Sequence, residues 1–399
     1  MLNNQSNSLP LDGITVISLE HAVAAPIATR HLADMGARVI KVERSGVGDF
    51  ARSYDKRVDG LSSYFVWANR SKESICLNLK DETAIEILNK LLSTADVLVQ
   101  NFAPGATKRL GLSYDDLSDK YPKLIVCDIS GYGEDGPYTN KKAYDLLIQS
   151  EAGFLSITGS ENEMVKAGIS IADTAAGMYA YSNILGALIE RSKTGRGRRI
   201  EISMLEAMVE WMGSAMYYGY KGSAPPKRNG ASHATIYPYG EFSVGEGDTI
   251  IFAVQSEREW EIFCNSVIRL PELNNDQRFN DNSARVENRE VLKKLIETSF
   301  KSFTFDQLIV LLDQQGIANA KVNSIEDIWQ HPQLNARNRW IEIDTPQGKV
   351  KALHPPGFSH KRPAKMSAIP HLGENTKRIL EELGYSDQLS KLIEQGSVA

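Results

Sequence analysis

The chain has 399 residues, with 45 Lys+Arg against 50 Asp+Glu and a formal net charge of -5. Charged residues make up 24% and the hydrophobic set 42%, which excludes a disordered, collagen-like or disulfide-stapled chain. A pI near 5.9 lacks the basic footprint that phosphate-backbone binding requires, so nucleic acid is not an expected partner.

At roughly 100–200 residues per domain, the length suggests two or three domains. Cys76, Cys127 and Cys264 are far apart with no C-x-x-C spacing, which reads as reduced thiols in a cytoplasmic protein. The Asn- and Ser-rich residues 1–9 have neither the basic nor the apolar region of a targeting segment. No run approaches the ~18 apolar residues of a membrane span, so no membrane is expected.

In chain order, apolar runs at 14–19 and 39–42 read as buried strands flanking a helix over 27–35. A strand over 74–79 follows, then a helix capped by Asp81, with Ala84, Ile85, Leu88, Leu91 and Leu92 on one face. Runs at 97–100 and 124–129 are further strands, and this alternation predicts an α/β unit with a mainly parallel sheet. From 169 to 189 the chain is small and helical, rich in Ala and Gly; a strand over 200–203 and a helix from Met204 come next. Residues 222–233 read as a linker, followed by a hairpin within 240–254 and helices over 257–267, 289–300 and 305–315. Residues 317–322, 340–343 and 350–353 read as strands returning to a sheet, and a helix over 374–383 closes the chain.

Motifs for phosphate loops, dinucleotide binding, zincins and α/β-hydrolases are missing, and the seven histidines have no ligand spacing, so no metal is expected. What remains is carboxylates in unusual company. Asp173 lies in Ile171-Ala172-Asp173-Thr174-Ala175-Ala176-Gly177, where an ionised acid is unfavourable unless it is hydrogen-bonded or functional. It reads as a helix cap, as a functional carboxylate presented at a helix tip, or as both. Asp145, after Tyr144, reads as a cap at the head of its own helix. Arg44, Arg70, Lys72, Lys80 and Arg109 each follow apolar runs, where the strand ends of an open sheet receive ligands, so together they would suit an anion.

These segments resemble family III CoA-transferases, the group of formyl-CoA transferase, carnitine CoA-transferases and α-methylacyl-CoA racemase. The likeness runs through Gly36-Ala37-Arg38-Val39-Ile40-Lys41-Val42-Glu43, Asn69-Arg70-Ser71-Lys72, Gln100-Asn101-Phe102, Ser130-Gly131-Tyr132-Gly133, Tyr144-Asp145, Ala172-Asp173, Thr194-Gly195-Arg196-Gly197 and Leu372-Gly373-Glu374-Asn375. The opening Glu20-His21-Ala22-Val23 and Gly48-Asp49-Phe50-Ala51-Arg52 are most similar to itaconate and mesaconate dicarboxylate transferases.

The resemblance implies a large Rossmann-like α/β domain from residues 1–224 and 331–399, a smaller α+β domain at 225–330, and an interlocked homodimer. It implies Asp173 as the nucleophile that carries aspartyl anhydride and aspartyl-CoA intermediates. Arg44, Leu77, Lys80, Asn101, Phe102, Arg109, Lys142 and Met204 would line the CoA site. Arg52, Tyr144, Asp145 and His233 would meet the acid, with Arg52 or His233 facing the distal carboxylate of a C4–C5 dicarboxylate such as succinate, itaconate or mesaconate. CoA is a substrate in this scheme, and no other cofactor is expected. The racemase branch has a histidine base where this chain has Tyr144, whose phenol is a weak base at neutral pH, so transfer is favoured over racemisation. Racemisation and non-catalytic CoA binding are the alternatives. The glycine loop of formyl-CoA transferase is replaced by Asn229-Gly230-Ala231-Ser232-His233, which disfavours formate and oxalate.

Overall fold

The computed structural model describes residues 8–399; most of the segment read as lacking a targeting signal, residues 1–7, lies outside the described residues. The chain divides into two units: one from residues up to 152 with Ala167–Met212 and Pro332–Ala399, the other from Gly153–Lys166 and Gly213–His331. The second unit is therefore wider than 225–330 and includes an excursion at 153–166.

In the larger unit the apolar runs become six parallel strands. They are β1 (Thr15–Leu19), β2 (Arg38–Glu43), β3 (Lys72–Cys76), β4 (Val97–Gln100), β5 (Ile125–Ser130) and β6 (Arg199–Ser203), ordered β3-β2-β1-β4-β5-β6. Helices cover such a sheet on both faces, so Val16, Ile17, Val39, Ile40, Leu98 and Val99 are all buried without the alternation of a one-sided sheet. The strand order reverses between β1 and β4, the place where open sheets of this kind form a ligand crevice at their carboxyl ends.

Five helices matter for that crevice: α1 (Ala24–Asp34), α2 (Glu82–Leu92), α3 (Asp145–Glu151), α4 (Ile171–Thr194) and α5 (Met204–Trp211). Asp81 caps α2 as its sequence predicts, accepting the Ala84 N–H at 3.1 Å. The small residues of α4 form its buried face, Ala172, Ala175, Ala176, Gly177 and Ala180. They let α1 approach closely enough that a Cβ on Gly177 would stand 2.7 Å from the Ala24 carbonyl oxygen.

The chain's end closes the β3 edge, which would otherwise offer unpaired backbone groups. Asn375 accepts the Ser74 N–H at 2.8 Å and Thr376 Oγ1 accepts that of Cys76 at 3.1 Å. Residues 340–353 depart from expectation: Trp340–Thr345 and Gly348–Leu353 pair only with each other, as an antiparallel ribbon. The two-residue connection before Gly348, at φ +131°, turns the chain straight back on itself. Only one ribbon face, with Ile341, Ile343, Val350 and Ala352, packs on Phe65 and Ile369.

In the smaller unit Tyr239–Val244 and Asp248–Ala253 form the expected hairpin, and Ala318–Lys321 adds a third antiparallel strand. Its core is aromatic, with Phe252 stacked on Phe263 at 5.0 Å and 4.6 Å from Phe242. Among the described residues, no helix is long and apolar enough to cross a membrane.

Gly177→Ala gains roughly 1 kcal/mol of helix propensity but forces α4 off α1, which costs more in a close-packed contact. A net loss of about 1–2 kcal/mol is expected in guanidinium unfolding.

Candidate active site

Asp173 is the third residue of α4, whose N-cap is Ser170. Its carboxylate is half-buried and makes no hydrogen bond or ion pair among the described residues. Burial, and then the charge of Asp145, push its carboxyl up to about 7. The fully buried acids of this unit are the opposite case. Asp34 is bidentate to Arg70 at 2.7 and 2.6 Å, and Glu43 to Arg52 at 2.8 and 2.7 Å. Burial raises Glu43, but the Arg52 hydrogen bond and the Lys41 and Arg52 charges outweigh it and hold it at about 2.

The helix cap anticipated for Asp173 is supplied instead by Asp145, from another helix. Asp145 opens α3, and its Oδ1 accepts the N–H groups of Ala172 (2.8 Å) and Asp173 (3.3 Å) at the start of α4. Its Oδ2 accepts from Gln149 at 2.6 Å, and Gln149 Oε1 accepts the Ala167 N–H at 2.9 Å. Asp145 thus orients the backbone that carries Asp173 and also raises its proton affinity.

One turn along α4 from Asp173, Gly177 abuts Ala24 at the start of α1. The α1 N-cap Val23 has no side-chain cap bond, Pro26 has no N–H, and the Ala24 and Ala25 N–H groups donate to nothing among the described residues. Two buried donors at a helix N-terminus, packed against α4 one turn from an unpaired carboxylate, suit a developing oxyanion.

Tyr54 is a residue that sequence reasoning missed. It stands edge-on to Tyr64 at 5.4 Å, and burial followed by the charges of Asp49 and Asp173 pushes its phenol up to about 12. The signal available was its place five residues after Asp49 in a glycine-rich turn. Tyr144 is 66% exposed, with its phenol in solvent.

The CoA set divides. Phe102 and Arg109 line one cleft of about 410 Å³ at the carboxyl ends of β4 and β5, with Gln100, Asp128, Glu134 and Arg199. Its floor is a relay across three strands. Arg199 Nε donates to Asp128 at 2.9 Å, Gln100 Nε2 donates to Asp128 at 2.8 Å, and Gln100 Oε1 accepts the Phe102 N–H at 2.7 Å. Arg44, Lys80 and Lys142 are exposed, and Met204 is buried at the start of α5. Leu77 is a core residue at 2% exposure, so its side chain packs against protein and does not line a ligand site. The Asn101 amide is engaged with the His21 backbone.

Four basic or substrate assignments change. Arg70 and Lys72 are buried in ion pairs with Asp34 and Glu20, so they hold the fold and are not free for an anion. Arg52 lies 3.8 Å over the Phe65 ring, and its guanidinium is bound to Glu43, which leaves no fork for a distal carboxylate. In the smaller unit, His233 Nδ1 accepts the N–H groups of Thr235 and Ile236, and its ring stacks on Tyr239 at 5.2 Å, so it organises a turn.

The model of "CoA-transferase family III" matches residues 11–376. The human succinyl-CoA:glutarate CoA-transferase is 32% identical over 99% of this chain and 91% of its own length. The acetyl-CoA:oxalate CoA-transferase of Acetobacter aceti is 33% identical over 94% and 95%. A CAIB/BAIF family protein from Brucella suis superposes with a TM-score of 0.83 at 34% identity, over 94% of this chain and 100% of its own.

A carboxyl raised to about 7 lets the native state bind a proton that the unfolded chain releases near pH 4, so Asp173 lowers stability as pH rises between these values. Asp173→Asn should therefore be more stable than wild type by about 2 kcal/mol at pH 8, with the gain gone by pH 4. Thermal or urea unfolding at the two pH values measures this.

Proposed function

Since the chain belongs to CoA-transferase family III, we propose that it moves CoA from succinyl-CoA to a free C4–C5 dicarboxylate, with Asp173 as nucleophile. The observation that carries this reading is the unpaired Asp173 carboxylate, one turn along α4 from the contact with the start of α1, where the N–H groups of Ala24 and Ala25 are unbonded among the described residues. An ion-paired carboxylate would have its lone pairs engaged; this one does not.

An Asp173 oxygen attacks the thioester carbonyl carbon, the C–S bond breaks, and CoA thiolate leaves behind a mixed anhydride. The thiolate then attacks the Asp173 carbonyl carbon, forming an aspartyl-CoA thioester and releasing the donor acid. The acceptor carboxylate attacks that thioester, freeing CoA thiolate and forming a second anhydride. Attack of the thiolate on the acceptor's carbonyl carbon completes the new acyl-CoA and restores Asp173. Each step exchanges one activated acyl group for another, so the scheme asks for no metal or redox group. The N–H groups of Ala24 and Ala25 would take the oxyanions.

Relatives named for succinyl-CoA and glutarate support a dicarboxylate acceptor of this length, and glutarate is the first to test. The resemblance to itaconate and mesaconate transferases keeps those acids in the same test. A racemase would need a base, and the exposed Tyr144 phenol is a poor one. Homodimerisation belongs to the same proposal. Met216, Tyr217, Tyr218 and Tyr220, in one stretch of the smaller unit, expose large apolar groups of the kind a partner covers.

With succinyl-CoA as donor, glutarate, itaconate and mesaconate should be used well ahead of oxalate and of a monocarboxylate of equal length, by CoA-ester chromatography. Preference for oxalate or a monocarboxylate removes the dicarboxylate assignment. Asp173→Asn should lower kcat by about 10³-fold or more. Hydroxylamine added during turnover should convert Asp173, and no other acid, to a hydroxamate seen by peptide mass. Because Asp173 must be ionised to attack, kcat should rise with pH from 5 to 8 with its midpoint near 7.

A further inference from the structure

Ala22 has φ +61°, a left-handed conformation that residues with a Cβ avoid. It lies in the segment between β1 and α1, whose backbone is tied down from two sides. Asn101, just beyond β4, accepts the His21 N–H through Oδ1 and donates through Nδ2 to the His21 carbonyl, both at 2.9 Å. Asp49, in the turn beyond β2, accepts the Ala22 N–H through Oδ1 at 3.0 Å. The same oxygen accepts the Ala51 N–H at 2.9 Å, and Lys41 holds the other oxygen at 2.8 Å.

One buried carboxylate oxygen therefore sets the spacing between the turn bearing His21 and the turn bearing Phe50. The result is a three-ring stack, with His21 5.3 Å from Phe50 at 25° and 5.3 Å from Phe102 at 26°. At one end Phe102 lines the cleft that also holds Arg109. At the other, Phe50 packs 5.7 Å from Tyr54, which lies in the field of Asp173.

We propose that Asp49 is a positioning residue for CoA: by holding Ala22 left-handed it keeps His21 between Phe50 and Phe102, and this wall guides the CoA arm from the Arg109 cleft toward Asp173. The proposal rests on the CoA-transfer reading above. Strain held by three hydrogen bonds, where glycine would need none, marks a segment whose conformation must be kept.

The test is the affinity for CoA itself, by titration calorimetry, with circular dichroism reporting the fold. Asp49→Ala should weaken CoA binding about tenfold, the equivalent of the backbone strain that is no longer held. Adding Ala22→Gly, which reaches positive φ without strain, should restore most of that loss. Should Asp49→Ala not fold, Asp49→Asn, whose amide oxygen still accepts the Ala22 N–H, should keep the wild-type affinity, and a tenfold loss there overturns the positioning role. Unchanged affinity in Asp49→Ala, or a loss that Ala22→Gly fails to relieve, overturns the positioning role while leaving CoA transfer standing. A wild-type chain that binds no CoA overturns the transfer reading, and this inference with it.

Discussion

Four buried charges hold the site together: Glu20 just beyond β1, Lys41 within β2, Asp49 in the turn beyond β2, and Lys72 at the start of β3. Lys41 Nζ lies 3.2 Å from Glu20 and 2.8 Å from Asp49, and Lys72 Nζ lies 2.7 Å from Glu20, all fully buried or nearly so. Thr29 and the Pro26 carbonyl take further hydrogen bonds, so no charge is left without a partner. Burial pushes Glu20 up, but Lys41 and Lys72 outweigh it and hold the carboxyl at about 2. Desolvating such a set is expensive, and removing any one member typically costs about 3–5 kcal/mol because its partner stays buried and unpaired. The network therefore serves geometry more than net stability. It locks together three neighbouring strands, the turn beyond β2 and the segment leading into α1.

Against that background the isolation of Asp173 is meaningful. Every fully buried acid around the sheet has a cationic partner, while Asp173 is left half-buried and, among the described residues, unpaired, with the like charge of Asp145 acting on it. A fold that pairs Asp34, Glu43 and Asp128 and leaves this acid unpaired keeps an energetically unfavourable group in place, which is the pattern of a functional carboxylate and the basis for the proposed nucleophile. Asp145 performs both parts of that arrangement. Its hydrogen bonds to the first turn of α4 fix the backbone, and its charge raises the proton affinity of the carboxyl those bonds position.

Close packing supplies the remaining part. With Gly177 and its alanine neighbours facing α1, the two helices come near enough for the unbonded start of α1 to lie one turn from Asp173. Larger residues would bury more area and separate the donors from the acid. The cleft at β4 and β5 is ordered by similar means, since Arg199, Asp128 and Gln100 pass hydrogen bonds across three strands to the Phe102 backbone.

The strands of the parallel sheet and the helices between them were legible in the sequence because caps, periodicity and apolar runs act over a few residues; the order of strands in the sheet, and the pairing of 340–353 only with itself, were not. Asp173 was legible too, as an acid where its neighbours are small and apolar, and so was the family, from motifs in register. What the tertiary structure alone decided was which charges meet. Arg70 and Asp34 are 36 residues apart, and Lys72 and Glu20 are 52 apart. Nothing local distinguishes these from cations free to bind an anion, and the same holds for Arg52 with Glu43. Asp145 looked like the cap of its own helix because capping is usually local; only the approach of α4 made it the cap of another, 27 residues away. Pairing in a folded chain follows strand adjacency and helix contact, which separation along the sequence does not encode.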